Sequence, residues 1–218
     1  MLKNSTQNGI IFTLLSLFFF STQDMQVKYI SSYYNIFIII WVKSIAQLIF
    51  VFLFLIIKER KNYFKSKNYL IQIFRGCCYS FSSILYFFGL KNLEMNLAGA
   101  LLFVSPFIVS VFGFFLLKEK VSIKRWLVII LGFSGVLIIT RPGFVEFNFS
   151  FFFVLSAAIF WSLFQIFSRF LREDGASNML LISSFVCFVV SSFFVYFYFQ
   201  EIESLNIFLL LSSLGIWA

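Results

Sequence analysis

Three ionisable side chains stand inside stretches otherwise made of apolar residues: Asp24, Lys43 and Arg75. In a hydrocarbon layer each charge costs at least about 2.5 to 3.5 kcal/mol at a helix centre, so such residues are kept where they face a bundle interior or a wet path. By rise per residue, Asp24 sits roughly 9 Å below the end of its stretch and Lys43 slightly beyond the middle of the next, so the two can meet. The chemistry this suggests is recognition of a charged solute. Asp24 and Lys43 would pair beside an aqueous cavity and part when an anionic or zwitterionic solute binds; the alternative is a permanent ion pair that only fixes helix packing.

Arg75 belongs to a polar stripe, Gln72, Arg75, Tyr79, Ser82, Ser83 and Tyr86, whose three- and four-residue steps place these side chains near one helix face. Such a face is expected to line a cavity. The competing expectation is that Arg75 snorkels to headgroups while the serines bond their own backbone; Tyr79 and Tyr86 continue the stripe beyond snorkelling reach. Further along, Ser162, Gln165 and Arg169 form a shorter face with Trp161 at its edge. Gln165 is a neutral candidate for the same site, and Arg169 reads more simply as an anchor at the membrane surface. Ser21 to Gln23 reads as polar lining near Asp24. Pro106 interrupts another apolar stretch and removes a backbone hydrogen bond there, as a hinge or a static kink. Gly76, Gly89, Gly113, Gly132 and Gly135 are expected to let helices approach closely.

Other chemistries lack their residues. With no histidine and one carboxylate inside the apolar stretches, neither a zinc site nor a nucleophile with its base can be assembled. No Walker loop is present, no cofactor is expected, and rings of like charge that would mark a channel are missing. Three cysteines, two of them adjacent, do not make a disulfide framework. The formal charge of +8 resides in short basic clusters between apolar runs, which argues for a membrane surface and against nucleic acid.

The elements that must position these residues follow from composition. The chain is 61% hydrophobic and 12% charged, with a mean hydropathy of +0.97, so lipid is its solvent. About 20 apolar residues cross the hydrocarbon as a helix, and seven stretches qualify: 10–29, 34–57, 69–90, 97–117, 125–140, 149–170 and 179–199. Runs such as IFVFLFLII do not alternate, which excludes a barrel. An eighth apolar stretch begins at Leu205 and is too short to cross, so a truncated product is expected. The first span follows no cleavable leader pattern and is expected to act as a signal anchor.

Basic residues set the orientation. With the N-terminus in the cytoplasm, the inner segments hold twelve of them (Lys3; Lys58, Arg60, Lys61, Lys65 and Lys67; Lys118, Lys120, Lys124 and Arg125; Arg169 and Arg172), against three outside (Lys28, Lys91 and Arg141). Laid 141 residues apart, the first and sixth spans share a weak echo: Phe12, Leu14 and Ser21 meet Phe153, Leu155 and Ser162, Lys28 meets Arg169, and Gln165 takes the place of Asp24. Five intervening spans would turn the second copy upside down, a construction common in secondary transporters.

Two stretches carry a resemblance. From Arg75 the residues RGCCYSFSSILYFFGLKNLEMNLAGALLFVSPFIVSVFGFFLLKEKVSIKRWLVIILGFSGVLIITRPG resemble the EamA-type half of the drug/metabolite transporter superfamily. The landmarks are Arg75, the YFFGLKNLEMNLAGA turn, Ser105 with Pro106, Glu119 in the LLKEK loop, Trp126 and the LGFSGVLIITRPG ending. The first span with Ser21, Asp24 and Lys28, and the second with Lys43, are similar to the family as well. The resemblance implies an all-α integral membrane protein, a multi-span bundle of inverted five-helix repeats with the second truncated: 1–9 a cytoplasmic N-terminus, 10–140 the first repeat, 149–218 an incomplete second. It also implies a permease that moves a small metabolite across the inner membrane of a bacterium, with a weak likeness to the branch that takes up S-adenosylmethionine. Its partners would be the solute and the bilayer, with homodimer formation compatible; a non-transporting fragment acting as a structural subunit is the alternative.

Overall fold

The structure, a computed structural model, describes residues 2–58, 66, 68–118, 122–140, 148–202 and 205–217. Arg60, Lys61, Lys65, Lys67, Glu119, Lys120 and Arg141 lie outside the described residues. Those described form nine α-helices and one 3-10 turn, with no strand among them. In lipid each backbone N–H and C=O must be satisfied within its own segment, and these Ile-, Leu- and Phe-rich stretches do so by coiling into helices.

The helices are α1 (Leu2–Ile30), α2 (Ile36–Lys58), α3 (Tyr69–Asn92), α4 (Met95–Leu102), α5 (Ser105–Leu117), α6 (Ile123–Thr140), α7 (Ser150–Phe170), α8 (Ala176–Phe197) and α9 (Leu205–Trp217). Six segments are long and apolar enough to cross a membrane: Gly9–Ile30, Ile36–Ile57, Tyr69–Asn92, Met95–Leu117, Ser150–Phe170 and Ala176–Phe197. The stretch expected as a further span near 125–140 is helical as α6, whose described apolar part is Trp126–Gly135. With 13 residues, α9 extends about 20 Å, short of the hydrocarbon thickness.

Local chemistry accounts for the breaks. At the start of α3, the Asn68 side chain accepts from the Ile71 N–H at 3.3 Å, a helix-opening cap. One expected span is two helices: α4 ends at Leu102 and α5 begins at Ser105. Pro106, in the first turn of α5, explains this. It has no N–H, and its ring would clash with the carbonyl four residues back, that of Leu102. Between α7 and α8 the chain turns through Arg172–Asp174 and Gly175, whose φ of +81° favours glycine.

Packing centres on α3, which runs against α7 and α8, while α2 lies on α8 and α9. α1 touches α3, α4 and α9; α4 and α5 lie on α7; α6 packs on α4 and α5. Small residues make the closest seams: a side chain at Gly76 would run into Val186, and one at Gly89 into Val154 and the Ser150 carbonyl. Gly132 and Gly135 have nothing within 4 Å of the place a side chain would take. The close approach expected there is corrected, because α6 is peripheral and presents those glycines to no helix.

Candidate functional site

Asp24 lies near the end of α1, half-buried, and accepts a hydrogen bond from Tyr86 Oη of α3 at 2.8 Å. Lys43, on α2, is 5% exposed. Its ammonium sits over two α3 rings, 5.2 Å from the centre of Phe87 and 5.7 Å from that of Tyr79. It is near enough to act electrostatically on Asp24. The direct Asp24–Lys43 ion pair expected from helix geometry is not formed: a phenol takes the carboxylate and aromatic faces take the ammonium. A desolvated cation over an aromatic ring gains about 2 kcal/mol, less than the cost of burying it without an anion.

Around this pair α1, α2 and α3 supply further polar groups. Tyr79 Oη donates to Gln47 Oε1 of α2 at 3.4 Å, and Gln47 is buried. Gln23, adjacent to Asp24, is 4% exposed and its Oε1 has no hydrogen-bond partner among the described residues. An amide oxygen stripped of water and left unsatisfied costs about 1 to 3 kcal/mol.

The stripe expected on α3 is divided between two neighbourhoods. Tyr79 and Tyr86 face α2 and α1, as above. Arg75 is 3% exposed and turned the other way: Nε donates to Ser168 Oγ of α7 at 2.7 Å, and Nη1 to the Met179 carbonyl at 2.8 Å and Ser183 Oγ of α8 at 2.7 Å. Its guanidinium also lies 4.3 Å from the centre of the Phe164 ring. Ser82 donates to the Ala157 carbonyl of α7 at 3.0 Å. Gln72, fully buried, donates to Asp174 Oδ2 at 2.9 Å. Arg75, Ser82 and Gln72 are thus spent on the seam between α3 and the α7–α8 hairpin.

Gln165 is half-buried on α7 and no hydrogen bond among the described residues joins it to Asp24. Ser162, one turn earlier, is committed to the Ala158 and Ser105 carbonyls. Two residues of this region were not read as part of the site from the sequence. Phe164, one of 36 phenylalanines, meets Tyr79 at 5.4 Å and Trp161 at 5.1 Å as well as Arg75, so it joins the two neighbourhoods. Lys28, read as a basic residue of an outer loop, belongs to the last turn of α1 and reaches the end of α3. Its four-residue spacing from Asp24, which puts both on one face, is the signal that was available.

A bundle of membrane-length helices with buried charged groups of this kind defines a multi-pass membrane protein. Over residues 7–141 the chain matches the EamA-like transporter family, and it belongs to that family. It is 26% identical over 185 residues to the S-adenosylmethionine uptake transporter of Rickettsia prowazekii (strain Madrid E), covering 84% of this chain and 63% of that one. To the S-adenosylmethionine uptake transporter of Rickettsia bellii (strain RML369-C) it is 28% identical, with the same shares covered. The chain therefore spans less than two thirds of the length of these relatives. One crystal structure superposes with a TM-score of 0.68 at 12% identity, covering 92% of this chain and 74% of the other, a likeness of fold.

Proposed function

We propose that this chain is a secondary transporter that moves a small zwitterionic metabolite across a bacterial inner membrane by alternating access, its N-terminus in the cytoplasm. One observation carries the solute class: Lys43 is buried without an ion pair among the described residues, beside the half-buried carboxylate of Asp24. A solute with separated positive and negative groups supplies what each lacks. Its anion meets Lys43, its cation meets Asp24, and Tyr79, Phe87 and Tyr86 offer faces to an apolar or cationic body. Gln47 and the unpartnered Gln23 oxygen add hydrogen-bond capacity.

The relatives' names agree with this chemistry. S-adenosylmethionine carries a carboxylate, an ammonium and a sulfonium on one body and fits the pattern. Helix pairing also supports a two-fold, inverted arrangement of 10–140 and 149–218: α2 meets α8, its counterpart, while α3 with α7 is mirrored by α1 with α9, and α3 with α8 by α2 with α9. Pro106 would be the hinge in such a cycle, and Arg75, Ser82 and Gln165 the helix-seam residues beside the path. The reading of a non-transporting subunit has no observation of this kind behind it.

Uptake of radiolabelled S-adenosylmethionine into cells expressing the chain, with Asp24→Asn and Lys43→Gln alongside, is the test. The wild type accumulates label and both variants lose most of it at equal membrane abundance. Equal uptake by all three would remove the site.

A further inference from the structure

We infer that Lys28 is the positioning residue of the solute site: it holds α3 in the register that brings Tyr86 to Asp24. The inference deepens the functional reading above and rests on it. Lys28 Nζ donates to three carbonyls at the end of α3, those of Leu90 at 2.8 Å, Lys91 at 3.0 Å and Leu93 at 2.7 Å. An ammonium has three protons, and all three are used. The final carbonyls of a helix have no partner within it and carry the negative end of its dipole, so a cation there is favoured twice over. Glu94, which opens α4, acts on the same ammonium.

The spacing gives the clamp its meaning. Asp24 and Lys28 are four residues apart on α1, and Tyr86 and Leu90 are four apart on α3. The bonds Asp24 to Tyr86 and Lys28 to Leu90 are therefore successive rungs between two helices running the same way. Besides these rungs, α1 touches α4 and α9 and is joined to α9 by the hydrogen bond from Ser213 Oγ to Gln26 Oε1 at 3.4 Å. From Ile10 to Thr22 the side chains of α1 are exposed or only half-buried, and its fully buried ones are Gln23, Val27 and Ile30, all in the last two turns. Apolar contacts of so short a segment resist sliding weakly, whereas three charged hydrogen bonds to fixed carbonyls set its height. Without them Tyr86 moves relative to Asp24 and the solute meets a misplaced carboxylate.

The test uses the full chain purified in detergent with 3-fluorotyrosine at its nine tyrosines, the Tyr86 resonance being assigned by its loss in Tyr86→Phe. Expected is a shift of that resonance in Lys28→Met and Lys28→Gln in the direction that Asp24→Asn moves it, with the remaining resonances in place and Lys28→Arg returning it toward the wild type. In S-adenosylmethionine uptake the neutral variants raise KM about tenfold, equivalent to about 1.4 kcal/mol, with the maximal rate kept. An unmoved Tyr86 resonance in folded Lys28→Met overturns the inference. So does collapse of all the resonances, or failure of every neutral variant to fold, because Lys28 would then serve general stability. If the wild type takes up no S-adenosylmethionine, the solute reading falls while the fluorine spectrum still decides the role of Lys28.

Discussion

The phenol of Tyr86 donates to the carboxylate of Asp24 across 2.8 Å, joining α3 to α1 inside the bundle. Residues that act through one contact do not add when both are changed. Asp24→Asn and Tyr86→Phe should each raise the KM for uptake by about tenfold, and the double variant no more than the larger of the two. Initial rates over a concentration series check this, and multiplied effects would show that the two act separately.

Lys43 predicts an exchange of stability for function. A buried ammonium with no anion is a cost in the empty protein, so an apolar replacement of similar length should relieve it. Lys43→Met is expected to melt in detergent at or above the wild-type temperature while losing more than nine tenths of uptake. A variant that melts well below the wild type would show that the charge holds the fold.

Arg75 should behave in the opposite way. Its three hydrogen bonds tie α3 to α7 and α8, and removing it leaves the Ser168 and Ser183 hydroxyls and the Met179 carbonyl without that donor. Arg75→Met is expected to cost about 2 kcal/mol, from a few bonds of about 0.6 kcal/mol each in a membrane bundle plus lost packing on Phe164. Arg75→Lys should restore only part of this, since one ammonium cannot reproduce the fork of the guanidinium. Melting in detergent, followed by tryptophan fluorescence, distinguishes the three proteins.

Two glycines that look alike in the sequence should differ on substitution. Gly89→Ala places a methyl group against Val154 and the Ser150 carbonyl, forcing α3 and α7 apart at a cost of about 1 to 3 kcal/mol. Gly132→Ala meets nothing within 4 Å and should be neutral or slightly stabilising, because alanine is the better helix former by up to about 1 kcal/mol. Thermal melts of the two variants side by side decide it.

Helices and the break at Pro106 were legible in the sequence because each rests on local chemistry, whereas seven spans were expected and six described segments reach membrane length. Length and apolarity dictate spans, and a proline without its N–H cannot continue α4 into α5. Asp24, Lys43 and Arg75 were legible as unusual for the same reason: a charge among Ile, Leu and Phe is costly wherever it ends up. The α3 stripe was legible as a face and not as two. Its residues recur at helical spacing, yet whether a given side chain turns toward α1 or α7 depends on which neighbour packs on each flank.

By itself, then, the sequence determined that this chain lives in a bilayer as packed helices with three embedded charges, since burial of apolar surface and satisfaction of the backbone act residue by residue. The tertiary structure decided who meets whom. Asp24 finds Tyr86 instead of Lys43, Arg75 is consumed in the seam to α7 and α8, and Lys28 reaches over to close the end of α3. Those pairings join residues 62 to 108 positions apart in the chain. Only the relative height and rotation of whole helices, set by the summed packing of every seam, brings such distant side chains within 3 Å.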